Sequence, residues 1–249
     1  MINIRNAREI EQLRKSAQIV VEALKLIEAR IQPGVKTGDL DLEIADFIYS
    51  KGARPAFKGF RGYPANSCIS VDEQVVHGIP GPRLLKEGEI VSVDIGVELK
   101  GYYGDAAKTF KVGEVEPEKE RLMQVTKESL ELAVQAAVVG NRLSDIGHAV
   151  QTHVEAAGFS VVRDLVGHGL GTEMHEPPQI PNYGPPGKGP RLKPGMVFAI
   201  EPMVNMGSYE VYTEKDNWTV VTSDGKPSAH FEHDVVITNG KPEILTAGL

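Results

Sequence analysis

The chain has a single cysteine, Cys68, among its 249 residues. It cannot close an internal disulfide, which points to a reducing compartment rather than to secretion. Apolar runs are short, and none approaches the roughly 18 residues that a membrane span needs. The N-terminal stretch has no signal-peptide core, because Arg5, Arg8, Glu9, Glu11, Arg14 and Lys15 interrupt it. No Cys-rich finger motif is visible. These absences predict a cytoplasmic protein without membrane association, and they reduce the Asn217-Trp218-Thr219 sequon to a chance match. A basic surplus is missing too. A net charge of -7 and a pI near 5.6 argue against stable nucleic-acid binding through overall charge, which needs clustered Lys and Arg.

What is there is an ordinary globular composition, 41% hydrophobic and 24% charged. The length suits one catalytic domain over residues 1–249, or two modest halves with a shared interface. Asn6 with Glu9 three residues on reads as a capping pair, and Ile10, Leu13, Ala17, Val20, Val21, Leu24 and Ile27 follow at helical spacing. This helix should stop before Pro33-Gly34, and a second is expected from Thr37 to about Ser50. The same grammar returns later. A long helix is expected from Pro117 to about Val139, closed by Gly140, then a shorter one capped by Ser144 and ended by Gly158.

The repetition extends to sequence. Gly81-Pro82-Arg83-Leu84 through Val93-Asp94 aligns, with one gap, to Gly189-Pro190-Arg191-Leu192 through Ile200-Glu201. Asp94 and Glu201 fall at equivalent positions, and Val76-His77-Gly78-Ile79 resembles Gly167-His168-Gly169-Leu170. Coincidence between two Pro/Gly-rich turns is the alternative. Duplicated halves, approximately 6–112 and 116–249, would bring both acids to a shared interface pocket.

The acids themselves carry the chemistry. Glu89 to Val97 reads as an apolar strand around Asp94, and Tyr102 to Val112 as its partner after a Lys100-Gly101 turn. Paired positions in a hairpin with a two-residue loop have an odd sum, so Asp94 and Asp105 point to one face. Two carboxylates converging there need a shared proton or a cation between them. Taken singly, Asp105 also reads as a turn cap, Glu201 as half of a structural salt bridge, and Glu232, at the start of a late strand, as a solvated charge. His168 between two glycines leaves room for an ion, and His175 follows seven residues later; each alone is more often an ordinary polar residue. Four carboxylates with one histidine favour divalent Mn, Fe, Co or Zn over sulfur-bound structural zinc. Two ions roughly 3.5–4 Å apart would use all five groups and activate water for hydrolysis.

Together, Val93-Asp94-Ile95-Gly96, Gly104-Asp105, Gly167-His168-Gly169-Leu170-Gly171, Ile200-Glu201-Pro202-Met203 and Phe231-Glu232-His233 resemble the motif set of the type I methionine aminopeptidases. The resemblance covers nearly the whole chain, in the family's order and spacing. It implies an α+β pita-bread fold, two pseudo-symmetric halves with helices outside a curved, mainly antiparallel sheet. It also implies that Asp94 chelates one metal, that Asp105 and Glu232 bridge both, and that His168 and Glu201 complete the other. His175 would bind the substrate carbonyl and the developing oxyanion, with His77 near the scissile nitrogen and Glu201 shuttling a proton. A methionine pocket of Phe57, Phe60, Tyr63, Cys68 and Trp218 is implied as well. Three positions depart from the pattern: Phe57 where some relatives carry Cys, Met174 where some carry Phe, and Gly96 where a Thr often supports the metal site.

The expected activity is two-metal removal of N-terminal methionine from nascent chains and peptides, favouring a small second residue. The enzyme would act as a monomer in transient contact with the ribosome. Two rivals share the fold. Xaa-Pro peptidases usually carry an extra N-terminal domain, for which Asp94 comes too early; a non-catalytic binding protein should have lost ligands, and all five candidates are present. Type II relatives carry an insertion for which His175 and Glu201 are too close together.

Overall fold

The structure is a computed structural model that describes residues 2–249. Its first part runs α1 (Ala7–Glu28), α2 (Thr37–Ser50), β1 (Arg54–Pro55), β2 (Cys68–Val71), β3 (Gln74–Val76), β4 (Ile90–Leu99) and β5 (Tyr102–Lys111). The second runs α3 (Pro117–Ala136), α4 (Leu143–Ala156), β6 (Ser160–Val161), β7 (Gly167–Gly169), β8 (Glu176–Ile180), β9 (Val197–Ile200) and β10 (Met203–Asn205). It continues through β11 (Val211–Thr213), β12 (Val220–Thr222), β13 (Ser228–His230), β14 (His233–Val236) and β15 (Glu243–Ile244). Helices and antiparallel strands mix as the α+β expectation requires.

Local chemistry explains most boundaries. The Asn6 side chain accepts from the Arg8 and Glu9 amides while Glu9 reaches back to the Asn6 amide, a complete capping box for α1. The β4–β5 hairpin turns at Lys100 and Gly101 with φ of 54° and 81°, the two left-handed residues of a tight turn that follows the strand twist.

Several boundaries differ from the sequence expectation. α3 ends at Ala136, three residues early, because the Asn141 side-chain amide caps the Ala136 carbonyl at 2.9 Å and draws the chain aside. Ser144 does not cap α4. Its hydroxyl instead accepts from the Lys188 amide at 2.7 Å, and the Asp145 carboxylate takes the Arg142 amide. Glu89 stays out of β4 because its carboxylate accepts the Lys86 amide at 2.8 Å. Glu232 begins no strand; it lies between β13 and β14, and its amide donates to the Ala107 carbonyl.

Four small sheets make up the interior. β4 has β5 along one edge and β2 then β1 along the other. β9 sits similarly between β7 and β14, within the order β15-β14-β9-β7-β8. The others are β13-β10-β6 and β11-β12-β3, the latter joining segments far apart in sequence. α1 and α2 cover the β4 sheet with a core including Leu24, Ile44, Val93 and Ile95; α3 and α4 cover the second part around Leu122, Ile146, Phe198 and Ile200. Helices lie outside, so the inner faces are left to meet one another. The two parts join at β5 and β14, where Asp105 and Glu232 both use their backbone amides across the seam.

His77 and His168 do not occupy matching positions. His168 lies within β7, against Ala199 of β9, whereas the strand beside β4 is β2. His77 comes from the turn after β3, with a left-handed φ of 58°.

Candidate metal centre

Asp94 stands opposite Ala107 and Asp105 opposite Gly96, so both carboxyls leave the same face. Glu201 follows β9 directly, and Glu232 occupies the bend before β14. His168 projects from β7; its Nδ1 donates to the Gly169 carbonyl at 2.9 Å, which leaves Nε2 with a free lone pair facing the acids. That Nε2 lies 3.6 Å from Glu201 Oε1 and 3.8 Å from Asp105 Oδ2. Asp105, His168 and Glu232 place one ligand atom each within 4.8 Å of one another.

The electrostatics of this cage are severe. Burial pushes the Asp94 carboxyl up to about 7, partly offset by its side-chain contact with Asp105. Burial drives Asp105 well above the carboxylate range, and the charges of Glu232, Asp94, Asp234 and Glu201 add to it. Glu201 and Glu232 are raised in the same way, by burial and then by their acidic neighbours. His168 is lowered to about 4 by burial, so its ring is neutral and able to ligate. Asp94 Oδ1, Asp105 Oδ1 and Glu232 Oε1 are all buried with no hydrogen-bond partner. Orphaned anionic oxygens around a neutral imidazole nitrogen are the donor set that a divalent cation completes, so these residues fit a metal.

A cavity of about 140 Å³ opens onto this cage. Its wall gathers all twelve residues expected from the sequence: Asp94, Asp105, His168, Glu201 and Glu232; His77 and His175; and Phe57, Phe60, Tyr63, Cys68 and Trp218. A wider cavity of about 580 Å³ between β5 and α3 shares only Glu232 with that set, so the chemistry belongs to the smaller one. His175 packs edge-on to His168, ring centroids 4.2 Å apart, and to Phe60 at 5.0 Å. Burial first, then His168, Arg61 and His77, lower its pKa to about 3, leaving a neutral imidazole able to donate a hydrogen bond. His77 is lowered by burial too. The apolar wall is built by Phe57, Tyr63, Cys68 and Met174, with Phe60 and Trp218 packed against them. The Tyr63 hydroxyl is tied to the Ser67 and Gly78 carbonyls, so its ring is fixed in place.

The three departures from the family pattern meet at one point. A Cβ on Gly96 would lie 2.6 Å from the Phe57 ring and 3.0 Å from the Met174 methyl. The larger ring at position 57 occupies the space that a side chain at 96 would need.

Three further residues, Arg61, His230 and Asp234, line or back the site. Arg61 lines the cavity from the exposed 3-10 turn Phe60–Gly62, and nothing in its local sequence marks it. His230 is buried with Nε2 unpartnered, 3.7 Å from Glu201 Oε2. Its spacing two residues before Glu232 was the available signal. Asp234 is fully buried, and its Oδ2 accepts the Asp105 amide at 2.8 Å. An acid heading the apolar run Asp234-Val235-Val236-Ile237 was visible in the same way as Glu201.

Known proteins bear on this geometry. A methionine aminopeptidase of Clostridium acetobutylicum is 54% identical over 247 residues, with 99% of each chain covered. Methionine aminopeptidase 1 of Bacillus subtilis is 53% identical over 246 residues, again with 99% of each covered. The crystal structure of a Thermotoga maritima methionine aminopeptidase superposes with a TM-score of 0.97 at 47% identity, with 99% of each chain covered. A Pyrococcus horikoshii prolidase shares the fold alone, with a TM-score of 0.79 at 21% identity over 98% of this chain and 63% of its own. The model of metallopeptidase family M24 matches residues 11–239. With that match, full-length relatives above 50% identity and a cage of metal-competent acids, the chain belongs to metallopeptidase family M24.

Proposed function

We propose that this chain removes the N-terminal methionine from peptides and nascent proteins by metal-assisted hydrolysis, favouring a small second residue. The supporting observation is the single small cavity that joins a buried carboxylate–histidine cage to an apolar, sulfur- and aromatic-lined wall. Flat rings and a thiol suit a thioether side chain, which is polarizable and makes favourable contacts with aromatic edges. A cavity of about 140 Å³ admits one residue, in keeping with attack at a chain end.

In this reading Asp94, Asp105, His168, Glu201 and Glu232 would together hold two divalent ions. The ions, Mn, Fe, Co or Zn, would supply Lewis acidity and a water of lowered pKa. The protein's own groups do the rest. Phe57, Phe60, Tyr63, Cys68 and Trp218 hold the methionine side chain and exclude water. His175, kept neutral by burial, donates a hydrogen bond to the scissile carbonyl oxygen and continues to hold it as negative charge develops there. Glu201 accepts a proton from the attacking water and passes it to the leaving amide nitrogen, near which His77 sits. Water oxygen joins the carbonyl carbon, the C–N bond breaks, and the amine departs protonated.

The chain is further read as one domain of two related halves, 6–112 and 116–249, acting as a cytoplasmic monomer in transient contact with ribosomes. Among the described residues no helix is long and apolar enough to cross a membrane.

The test uses chelated protein reloaded with Mn, Co or Fe under reducing conditions and offered Met-Ala and Ala-Pro peptides. Cleavage of Met-Ala is expected. Selective cleavage of Ala-Pro would assign an Xaa-Pro peptidase, and hydrolysis of neither peptide with any of the ions would favour a binding protein.

A further inference from the structure

Glu176 follows His175 directly and heads β8, and its carboxylate ties the N-terminal strap to the loop just before it. It accepts from Asn3 Nδ2 at 2.7 Å, from the Thr172 and Glu173 amides at 2.8 and 3.2 Å, and from the Arg5 guanidinium. The Arg5 and Glu176 side chains are only 8% and 5% exposed. A buried ion pair of this kind is costly to break from one side, since the remaining charge has no water to turn to. The pair closes the loop between β7, which carries His168, and β8, so that the His175 ring comes to rest against His168.

The strap that brings Arg5 here is itself anchored where it enters α1. The Arg5 amide donates to the Gly195 carbonyl at 2.7 Å, and Asn6 caps α1 immediately afterwards. The fit leaves no slack, because a Cβ on Gly171 would overlap the Arg5 guanidinium. By contrast Asp94 and Asp105 are set by a continuous ladder of ten paired positions on each strand, and that ladder does not involve the strap.

We propose that Asn3 and Arg5 are positioning residues for the reaction: acting through Glu176, they hold the His175 ring where it meets the scissile carbonyl. The inference rests on the role given to His175 above. It separates the site into two mechanically distinct parts, a cage fixed by strand pairing and an electrophilic histidine fixed by the N-terminal strap. Displacing a reacting group by about 1 Å can cost on the order of a hundredfold in rate, so a strap remote from the chemistry can control turnover.

A double-mutant cycle tests this. Arg5→Gln in the otherwise native chain is expected to lower kcat on a Met-Ala peptide by roughly ten- to a hundredfold, with the Mn binding isotherm unchanged. In a His175→Ala background the same substitution should change kcat by less than about twofold, because the group it positions is gone. Arg5→Lys, which keeps the charge and loses the fork, should fall between. An equal loss in both backgrounds, or a loss that follows Mn affinity, would overturn the proposal while leaving the His175 assignment standing. Full turnover of His175→Ala alone would remove that assignment, and the strap's role with it. If Arg5→Gln does not fold, Asn3→Ala removes one neutral donor and carries the same cycle with a smaller effect; additivity there overturns the proposal equally.

Discussion

Asp94 and Asp105 lie on neighbouring strands of one hairpin, each two residues along from the position opposite the other, and their carboxyls leave the same face. The seam between the two parts of the fold runs past this face, and there Glu232 and Glu201 arrive from the second part. Neither hairpin nor seam alone would collect four acids.

Removing the charge of either Asp94 or Glu232 at constant shape should therefore disable the cage. Asp94→Asn and Glu232→Gln are each expected to lower turnover by at least roughly a hundredfold, beyond the usual loss from supporting residues. Peptide hydrolysis alongside calorimetric Mn titration checks this. Near-native activity in either variant would remove the proposed metal centre.

His175→Ala should behave differently. Loss of one hydrogen-bond donor to a developing oxyanion costs roughly 10²–10³ in kcat, whereas His168 and the acids keep their positions. The metal isotherm is expected to match that of the native chain. A large drop in metal affinity would show that His175 belongs to the cage instead.

The raised carboxyl pKa values give metal binding a direction with pH. Asp94, ordinarily near 3.8, sits at about 7 because of burial, and Asp105, Glu201 and Glu232 are raised for the same reason. A folded pKa above the unfolded one contributes stability below the unfolded value, and that contribution is lost as pH rises through the folded value. The metal-free fold should thus lose stability as pH rises from about 4 through about 7, where Asp94 gives up its proton inside the cage, and the other three raised carboxyls add to the same direction. A cation reverses this, since it takes the place of the protons. Binding should release protons, and affinity should rise as pH climbs toward about 7. His168, already neutral above about 4, adds nothing to that slope. Mn titrations in two buffers of different ionisation enthalpy measure the release; an affinity flat between about pH 5.5 and 7.5 would contradict it.

Gly96 and Phe57 should be energetically coupled. Gly96→Thr alone must push the Phe57 ring and the Met174 methyl aside, and overpacking of this kind costs about 1–3 kcal/mol. Adding Phe57→Cys vacates the space and should restore most of the lost thermal stability. Strict additivity of the two changes in Tm would show that positions 57 and 96 are independent.

Much of the site was legible because its signals are local. An acid inside an apolar run announces a buried charge, as with Glu201, and a hairpin's two-residue loop fixes which positions share a face, as with Asp94 and Asp105. Helix starts at Asn6 and Thr37 were legible for the same reason. Ser144 does not serve as the expected cap because its hydroxyl is claimed by the Lys188 amide, a partner 44 residues away that no local pattern reveals. Arg61 and the Arg5–Glu176 pair were invisible on the same ground, since their meaning lies in what they face across the fold.

The sequence by itself determined the candidate ligands, the helices and the shared face of the β4–β5 hairpin, all of which depend on spacing along the chain and on side-chain chemistry. Tertiary structure alone decided that Glu232 would bend out of its strand to meet Asp105, that His77 would come from a left-handed turn and not from a counterpart of β7, and that Phe57, Gly96 and Met174 would share one volume. The physical reason is that such relationships come from packing between segments brought together only on folding, where close contact and burial, not local propensity, set each position.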